Sequence, residues 1–113
     1  MGGASARAVA ADKASFQIAG SSPGRLIARG ALTFETAGRA RAQGRIALRN
    51  AGPKLAMDCG AISQSDSAGL AVLLDWLAEA RRSGRSLRYE QLPAGLLGLA
   101  RISAVDEFLL KGV

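Results

Sequence analysis

The stretch 64-QSDSAGLAVLLDW-76 decides the fold, because it joins a strand signal to a long apolar helix. Asp66 and Ser67 precede that helix. Both residue types favour the N-cap position, where a side chain accepts a hydrogen bond from an N–H of the first turn. The charge of Asp66 also suits the positive end of the helix dipole. The stretch therefore predicts a capped helix that begins at Ser67 and reaches about Arg82.

The side chains of this helix repeat at helical spacing, which predicts the face that packs in the core. The apolar stripe follows an i, i+3, i+4, i+7 pattern and comprises Leu70, Leu73, Leu74 and Leu77. The polar side chains expected on the opposite side are Asp75, Glu79 and Arg82. At about 100° per residue, Ala68 and Val72 fall on this polar side and Trp76 borders it. Val72 and Trp76 are therefore expected to form an apolar fringe at an interface.

Strand and helix signals alternate along the rest of the chain, which indicates an α/β fold. A hairpin is predicted around the turn 21-SSPG-24, with one strand from Phe16 and the other over Arg25–Gly30. Lys54–Cys59 is a short apolar run and predicts a buried central strand. Residues 87–90 predict a further strand. We expect a mixed sheet of four or five strands with helices packed against it.

A helix of modest propensity is predicted over residues 33–50. Its candidate caps are Thr33 and Thr36. Gly38 and Gly44 should weaken it by about 1 kcal/mol each. The remaining segments are a helix over 93–102, which Pro93 can open, and a short helix or strand over 105–110.

Composition indicates a single domain. The chain has 113 residues, of which 49% are hydrophobic and 21% charged, as in ordinary globular domains. No apolar run approaches the roughly 18 residues that cross a bilayer, so direct membrane insertion is not expected. Residues 1–14 are rich in Ala and Gly and lack the apolar core of a secretory signal. They are expected to be a disordered leader to a domain over 15–113.

The sequence offers no specific catalytic or metal-binding residues. It contains no histidine, which removes Ser–His and Cys–His pairs and the commonest metal ligand. The single cysteine, Cys59, cannot form an internal disulfide, and its apolar context predicts a small core residue. Glycine-rich phosphate loops of the P-loop and Rossmann types are missing. We therefore expect no enzyme, no cofactor and no metal site.

The net charge of +6 could favour nucleic acid or an anionic membrane. The cations are scattered, with their densest stretch over residues 39–49, and no aromatic residues are interleaved with them. A platform for stacking bases would require such aromatics, so nucleic-acid binding is disfavoured. A location near an anionic bilayer explains the net positive charge better than nucleic-acid binding does. The basic stretch 39–49 could face a bilayer, a partner or water.

The segments 57-MDCGAI-62 and 66-DSAGL-70 together resemble the signature of STAS domains, the sulfate transporter and anti-sigma factor antagonist family. The resemblance covers roughly residues 15–110 and implies a single STAS domain. In one branch, the anti-sigma factor antagonists, the Ser after this Asp is phosphorylated by a partner kinase. Ser67 would be the phosphoacceptor in that branch.

A second branch resembles the chain more closely. It consists of stand-alone STAS subunits that partner the ATPase of a bacterial lipid-transport ABC system of the Mla type. The similar segments are 66-DSAGLA-71, the Trp-containing 74-LDWL-77 and 91-QLPAGLLGLARISAVDEFL-109. Antagonists more often have Ser at the position of Ala68, which favours this second branch.

The resemblance implies a non-catalytic cytoplasmic subunit, peripheral to the inner membrane through its partner. It would bind and support the ATPase, with its permease, of a phospholipid transporter that maintains outer-membrane lipid asymmetry. The implied partner-binding residues are Asp66, Ser67, Ala68, Gly69, Val72 and Trp76. The alternative is an anti-sigma factor antagonist regulated by phosphorylation of Ser67. A third hypothesis is a small lipid- or nucleotide-binding module.

Overall fold

The computed structural model describes residues 15–113, so the predicted leader over 1–14 lies outside the described residues. Strands and helices alternate after an initial hairpin. The strands are β1 (Phe16–Ser22), β2 (Arg25–Leu32), β3 (Lys54–Ser65) and β4 (Ser86–Glu90). The helices are α1 (Ala37–Asn50), α2 (Ser67–Arg82), α3 (Ala94–Ile102) and α4 (Asp106–Lys111).

The four strands form one mixed sheet in the order β1-β2-β3-β4. β1 and β2 pair antiparallel around the predicted hairpin turn, with Phe16 opposite Gly30 and Ser22 opposite Arg25. β2, β3 and β4 are parallel, because α1 and α2 return the chain to the same end of the sheet. The predicted α/β fold with a mixed sheet is confirmed.

Two element boundaries differ by four residues or more from the sequence prediction. β3 runs to Ser65, well beyond the predicted end at Cys59, because its polar second half still pairs with β2 up to Leu32. α1 begins at Ala37, and the preceding residues form a turn. In that turn Thr36 Oγ1 accepts from Thr33 N–H (3.0 Å) and donates to Ala31 O (2.7 Å). Thr36 is therefore a buried turn residue and makes no side-chain cap to the helix.

The core lies between the helices and one face of the sheet. The strands contribute Phe16, Leu26, Leu55, Met57, Cys59, Leu87 and Tyr89. The helices contribute Leu48, Leu73, Trp76, Leu96 and Leu109. Burial raises the pKa of the Cys59 thiol to about 12, which keeps it neutral and inert. The prediction of Cys59 as a core residue is confirmed. On the opposite face of the sheet, Arg25, Arg29 and Arg88 are exposed.

Helices α1 and α2 pack at unusually close range through Gly44 and Trp76. The Trp76 side chain is fully buried, and its Nε1–H donates to Arg41 O at 3.2 Å. A Cβ at Gly44 would lie only 2.0 Å from Trp76 Nε1. Gly44 thus lowers the intrinsic helix propensity of α1, as predicted, but the indole occupies the space that any larger residue would need.

No helix within residues 15–113 has the length and apolarity to cross a lipid bilayer.

Candidate functional site at the start of α2

Asp66 fixes the start of α2 with both of its carboxylate oxygens. Oδ1 accepts from Ala68 N–H (2.9 Å) and Gly69 N–H (3.2 Å), which is the predicted N-cap. Oδ2 accepts from Phe34 N–H at 3.0 Å. Phe34 belongs to the turn between β2 and α1. One side chain therefore holds a loop and a helix terminus in a fixed relative position.

The open side of α2 consists mostly of small residues, with the half-buried Leu74 as the one large apolar side chain. Ser67 and Ala71 are exposed, Ala68 is half-buried, and Ala78 is exposed two turns further along. Ser67, Ala71 and Ala78 are separated by four and seven residues, so they share one face of the helix. Short side chains leave the helix backbone close to the surface, so another protein could approach it closely. Ser67 and Ala68 were predicted as partner-binding residues from the sequence, and Ala71 was not.

Three of the predicted partner-binding residues are buried, and the predicted apolar fringe is wrong. Val72 is 4% exposed and Trp76 0%, because α1 covers the side of α2 that was expected to face solvent. Gly69 is also buried, and a Cβ there would lie 2.1 Å from Leu32 O. Gly69 lets the helix start pack against the end of β2. None of these side chains can contact a partner without rearrangement of the core.

One of the polar side chains predicted on the solvent side of α2, that of Asp75, meets α1. Asp75 forms ion pairs with Arg41 (3.2 Å) and Arg45 (3.1 Å), two cations of the basic stretch 39–49. Part of that stretch therefore serves contacts between helices. Leu74, predicted in the core stripe, is only half-buried. The buried arc of α2 is rotated by about a quarter turn from the predicted one, towards α1.

Phe34 is a surface residue that the sequence analysis missed. Its side chain is 82% exposed, although large apolar side chains usually find cover. The hydrogen bond from Phe34 N–H to Asp66 places it beside the start of α2. We call Phe34, Ser67, Ala68 and Ala71 together the Ser67 surface. No pattern in the sequence marked Phe34, because one Phe in a turn has no periodic partner.

The electrostatics at Ser67 limit what a phosphate could gain there. The N–H groups of Ala68 and Gly69 already donate to Asp66 Oδ1, and Leu70 N–H donates to Asp66 O. A phosphate on Ser67 would therefore find these first-turn donors occupied and would add up to about two negative charges beside a carboxylate. The phosphate would be repelled by the Asp66 carboxylate and would make the Ser67 surface more negative.

Metal-dependent chemistry has no support at this surface. Within residues 15–113, no group of three or more His, Cys, Asp or Glu side chains could hold a metal ion. What the Ser67 surface offers is a hydroxyl, short side chains and an exposed aromatic ring on a rigid frame. Those features suit recognition of another protein.

A four-stranded mixed sheet packed with four helices is the α/β fold of STAS-domain proteins. The chain belongs to the family described as "Mlab, STAS domain", whose model matches residues 15–111. Proteins with STAS domains act through protein partners. No curated protein matches the chain significantly in sequence.

Solved structures of STAS-domain proteins are similar in fold. The anti-sigma factor antagonist SpoIIAA in its unphosphorylated form is 18% identical, with a TM-score of 0.59 over 83% of each chain. Phosphorylated SpoIIAA, a Bacillus cell-fate determinant, is 17% identical, with a TM-score of 0.62 over 82% of this chain and 86% of its own. A Thermotoga maritima protein assigned as an anti-sigma factor antagonist is 15% identical, with a TM-score of 0.64 over 85% of this chain and 82% of its own.

Proposed function

We propose that this chain is a non-catalytic subunit that binds and supports the ATPase of a phospholipid-transport ABC complex. It works on the cytoplasmic side of the inner membrane, where the complex, with its permease, maintains outer-membrane lipid asymmetry. The carrying observation is the Ser67 surface, in which short side chains at the start of α2 lie beside the exposed Phe34 ring and Asp66 joins the two. The description of the family as Mlab supports the choice of this partner.

The Ser67 surface has the features of a protein-binding site. Phe34 supplies an exposed aromatic ring, the side-chain type that most often anchors an interface. Ala68 and Ala71 let a partner element approach the helix backbone, and Ser67 offers a hydrogen bond at the centre. Asp66 already holds the Phe34 turn against α2, so little conformational entropy is lost on binding. Val72, Trp76 and Gly69 support the surface from within.

Co-purification with the ATPase tests this proposal. Ala71→Arg and Ser67→Arg each place a long cation on the surface and should abolish recovery of the ATPase by the tagged chain. Phe34→Ala should weaken binding by about tenfold or more, as loss of an aromatic anchor does. The matched control is Ala42→Arg, at an alanine on α1 that is also exposed. Circular dichroism should show that all four variants are folded.

The outcomes test the binding surface and the identity of the partner separately. If Ala42→Arg weakens recovery as much as Ala71→Arg, the added charge is responsible and the assignment of the surface is wrong. Recovery of the ATPase with all variants would support the partner and contradict the Ser67 surface as its binding site, whereas no recovery with the unmodified chain would contradict the partner. ATPase activity of the complex, measured with and without the chain, should fall when the chain is absent.

A second candidate function is an anti-sigma factor antagonist switched by phosphorylation of Ser67. The observation that favours it is the exposure of the Ser67 hydroxyl at the start of α2, together with the fold shared with SpoIIAA. A phosphate beside Asp66 would give the Ser67 surface a strong negative charge and could release a partner bound there. This mechanism uses the same surface with a different partner.

Mass spectrometry after incubation with a cognate kinase and ATP tests this alternative. A mass increase of one phosphate that maps to Ser67, and that Ser67→Ala abolishes, would establish it. Co-purification of the chain with a small kinase, without an ABC ATPase, would point the same way. If Ser67 stays unmodified while the ATPase is recovered, the antagonist function is contradicted.

A further inference from the structure

A basic cavity lies at the end of the sheet opposite the Ser67 surface. Its volume is about 360 Å³, and it opens where the parallel strands β2, β3 and β4 begin. Four cationic side chains line it, namely Arg25, Lys54, Arg88 and Lys111. Among residues 15–113, no Asp or Glu side chain is part of the lining. We call this site the basic cavity.

The sheet register brings three of these cations together. Ala56 of β3 pairs with Arg25 of β2 on one side and with Arg88 of β4 on the other. Neighbouring strands lie about 4.8 Å apart, so the Cα atoms of the two arginines are about 10 Å apart with only a methyl group between them. Lys54 precedes Ala56 by two residues and projects from the same face of the sheet. Lys111, at the end of α4, closes the fourth side.

The charges of the basic cavity are only partly compensated. Glu90 pairs with Arg25 at 2.5 Å, and the nearby Asp58 carboxylate adds a smaller attraction to the same guanidinium, both of which raise the pKa of Arg25. No ion pair involving Lys54, Arg88 or Lys111 occurs within the described residues. Ser86 on the same wall uses its hydroxyl to donate to Val113 O at 2.9 Å. Like charges that converge on one space repel each other, and a bound anion would relieve that repulsion.

We propose that the basic cavity binds a phosphate group. Guanidinium groups match phosphate oxygens as two-pronged donors, and lysine ammonium groups add point charges, so two of each suit a doubly charged anion. The phosphate could come from a soluble phosphate ester or from the headgroup of an anionic phospholipid at a membrane surface. This site shares no residue with the Ser67 surface, so either proposal can fail while the other holds.

Two probes distinguish the sources of the phosphate. The first is inorganic phosphate, titrated into the full chain and followed by amide NMR shifts, with chloride at matched ionic strength as reference. The second is vesicles of phosphatidylcholine with and without phosphatidylglycerol, followed by co-sedimentation. Saturable shifts around Lys54 and Arg88 indicate a soluble phosphate. Sedimentation that needs phosphatidylglycerol and these cations, without shifts from inorganic phosphate, indicates the lipid headgroup.

Substitutions test whether binding belongs to the cavity. Lys54→Ala and Arg88→Ala should each weaken binding by about tenfold, the usual effect of losing one charge-assisted contact. Glu90→Gln should tighten binding, because it frees Arg25 and removes a negative charge. The matched control is Arg29→Ala, on the same strand and face as Arg25 but outside the cavity. The proposal is overturned if neither probe binds, or if Arg29→Ala weakens binding as much as Arg88→Ala.

Discussion

The two sides of α2 differ in a way that the apolar pattern of the helix does not reveal. The side that faces α1 carries Trp76, Val72 and the ion-paired Asp75. The open side carries Ser67, Ala71 and Ala78, which are small and exposed. The large apolar residues thus lie inside, apart from the half-buried Leu74, and the other residues of the open side have little to bury. Size, rather than hydrophobicity alone, distinguishes most of the covered side from most of the open side.

An aromatic residue on α2 does not by itself mark a binding surface in this chain. Trp76 was assigned to an interface because aromatic residues are frequent at protein contacts. In this chain it serves an internal contact between two helices, and the exposed aromatic residue near the site is Phe34. The free side of α2 can be recognised only when the helices that cover the other sides are known.

The largest loss of stability is expected for Trp76→Ala, which leaves a cavity between α1 and α2. We expect a loss of about 4 kcal/mol in the free energy of unfolding, since the indole is fully buried. Leu74→Ala, on the open side of the same helix and only half-buried, should cost less than about 2 kcal/mol. Urea unfolding measures both. Equal losses would contradict the difference between the two sides.

The next effect concerns the glycines of α1. Gly44→Ala should lower the free energy of unfolding by about 3 kcal/mol, because the new Cβ would overlap the indole of Trp76. Gly38→Ala is the control, since a Cβ there meets nothing within 4 Å. That variant should raise stability by about 0.5 kcal/mol by restricting the unfolded chain. If both substitutions stabilise the protein, the close packing of α1 on Trp76 is wrong.

Loss of the cap should have a smaller effect on stability. Asp66→Ala removes the acceptor of three N–H groups and should cost about 2 kcal/mol. Asp66→Asn keeps one side-chain oxygen at the helix start and should cost less. Thermal unfolding measures the stability, and NMR should show shifts at both Phe34 and Ala68 in the Ala variant. Shifts at Ala68 alone would mean that Asp66 does not join the loop to the helix.

The smallest effect is expected for the ion pairs between α1 and α2. Asp75→Asn removes the partner of Arg41 and Arg45, which are partly exposed. The loss of stability should be less than that for Asp66→Ala and should shrink as salt is added, because ions screen such pairs. Glu79→Gln is the control, since Glu79 pairs with Arg82 within α2 itself. Urea unfolding at low and high salt measures the loss of stability for Asp75→Asn and for the control Glu79→Gln.

Most of the fold was predictable from local signals. The turn before Arg25 marked the hairpin, and Asp66 marked the start of α2, because turns and caps depend on neighbouring residues alone. The second half of β3 was missed since its residues are polar on the exposed face, and only pairing with β2 makes them a strand. Propensity carries no information about such a distant partner.

The candidate site was predictable only in part. Asp66 was correctly assigned as a cap, and Ser67 is exposed as expected. The error at Val72 arose because a helical wheel assumes one buried face, while α2 is covered both by the sheet and by α1. Gly44 marks the place where α1 packs closely on Trp76. In the sequence, however, a glycine within a helix predicts only a weaker helix and not a close contact. The partner-binding role of Ser67 remains a prediction.

The contact between Gly44 and Trp76 also bears on how the chain folds during synthesis. α1 links β2 to β3, yet it contains two glycines and is a poor helix by itself. The indole that holds it in place belongs to α2, which the ribosome makes only after β3 is complete. We therefore expect the nascent chain to leave β1 and β2 without their helical cover until Trp76 has emerged from the ribosome.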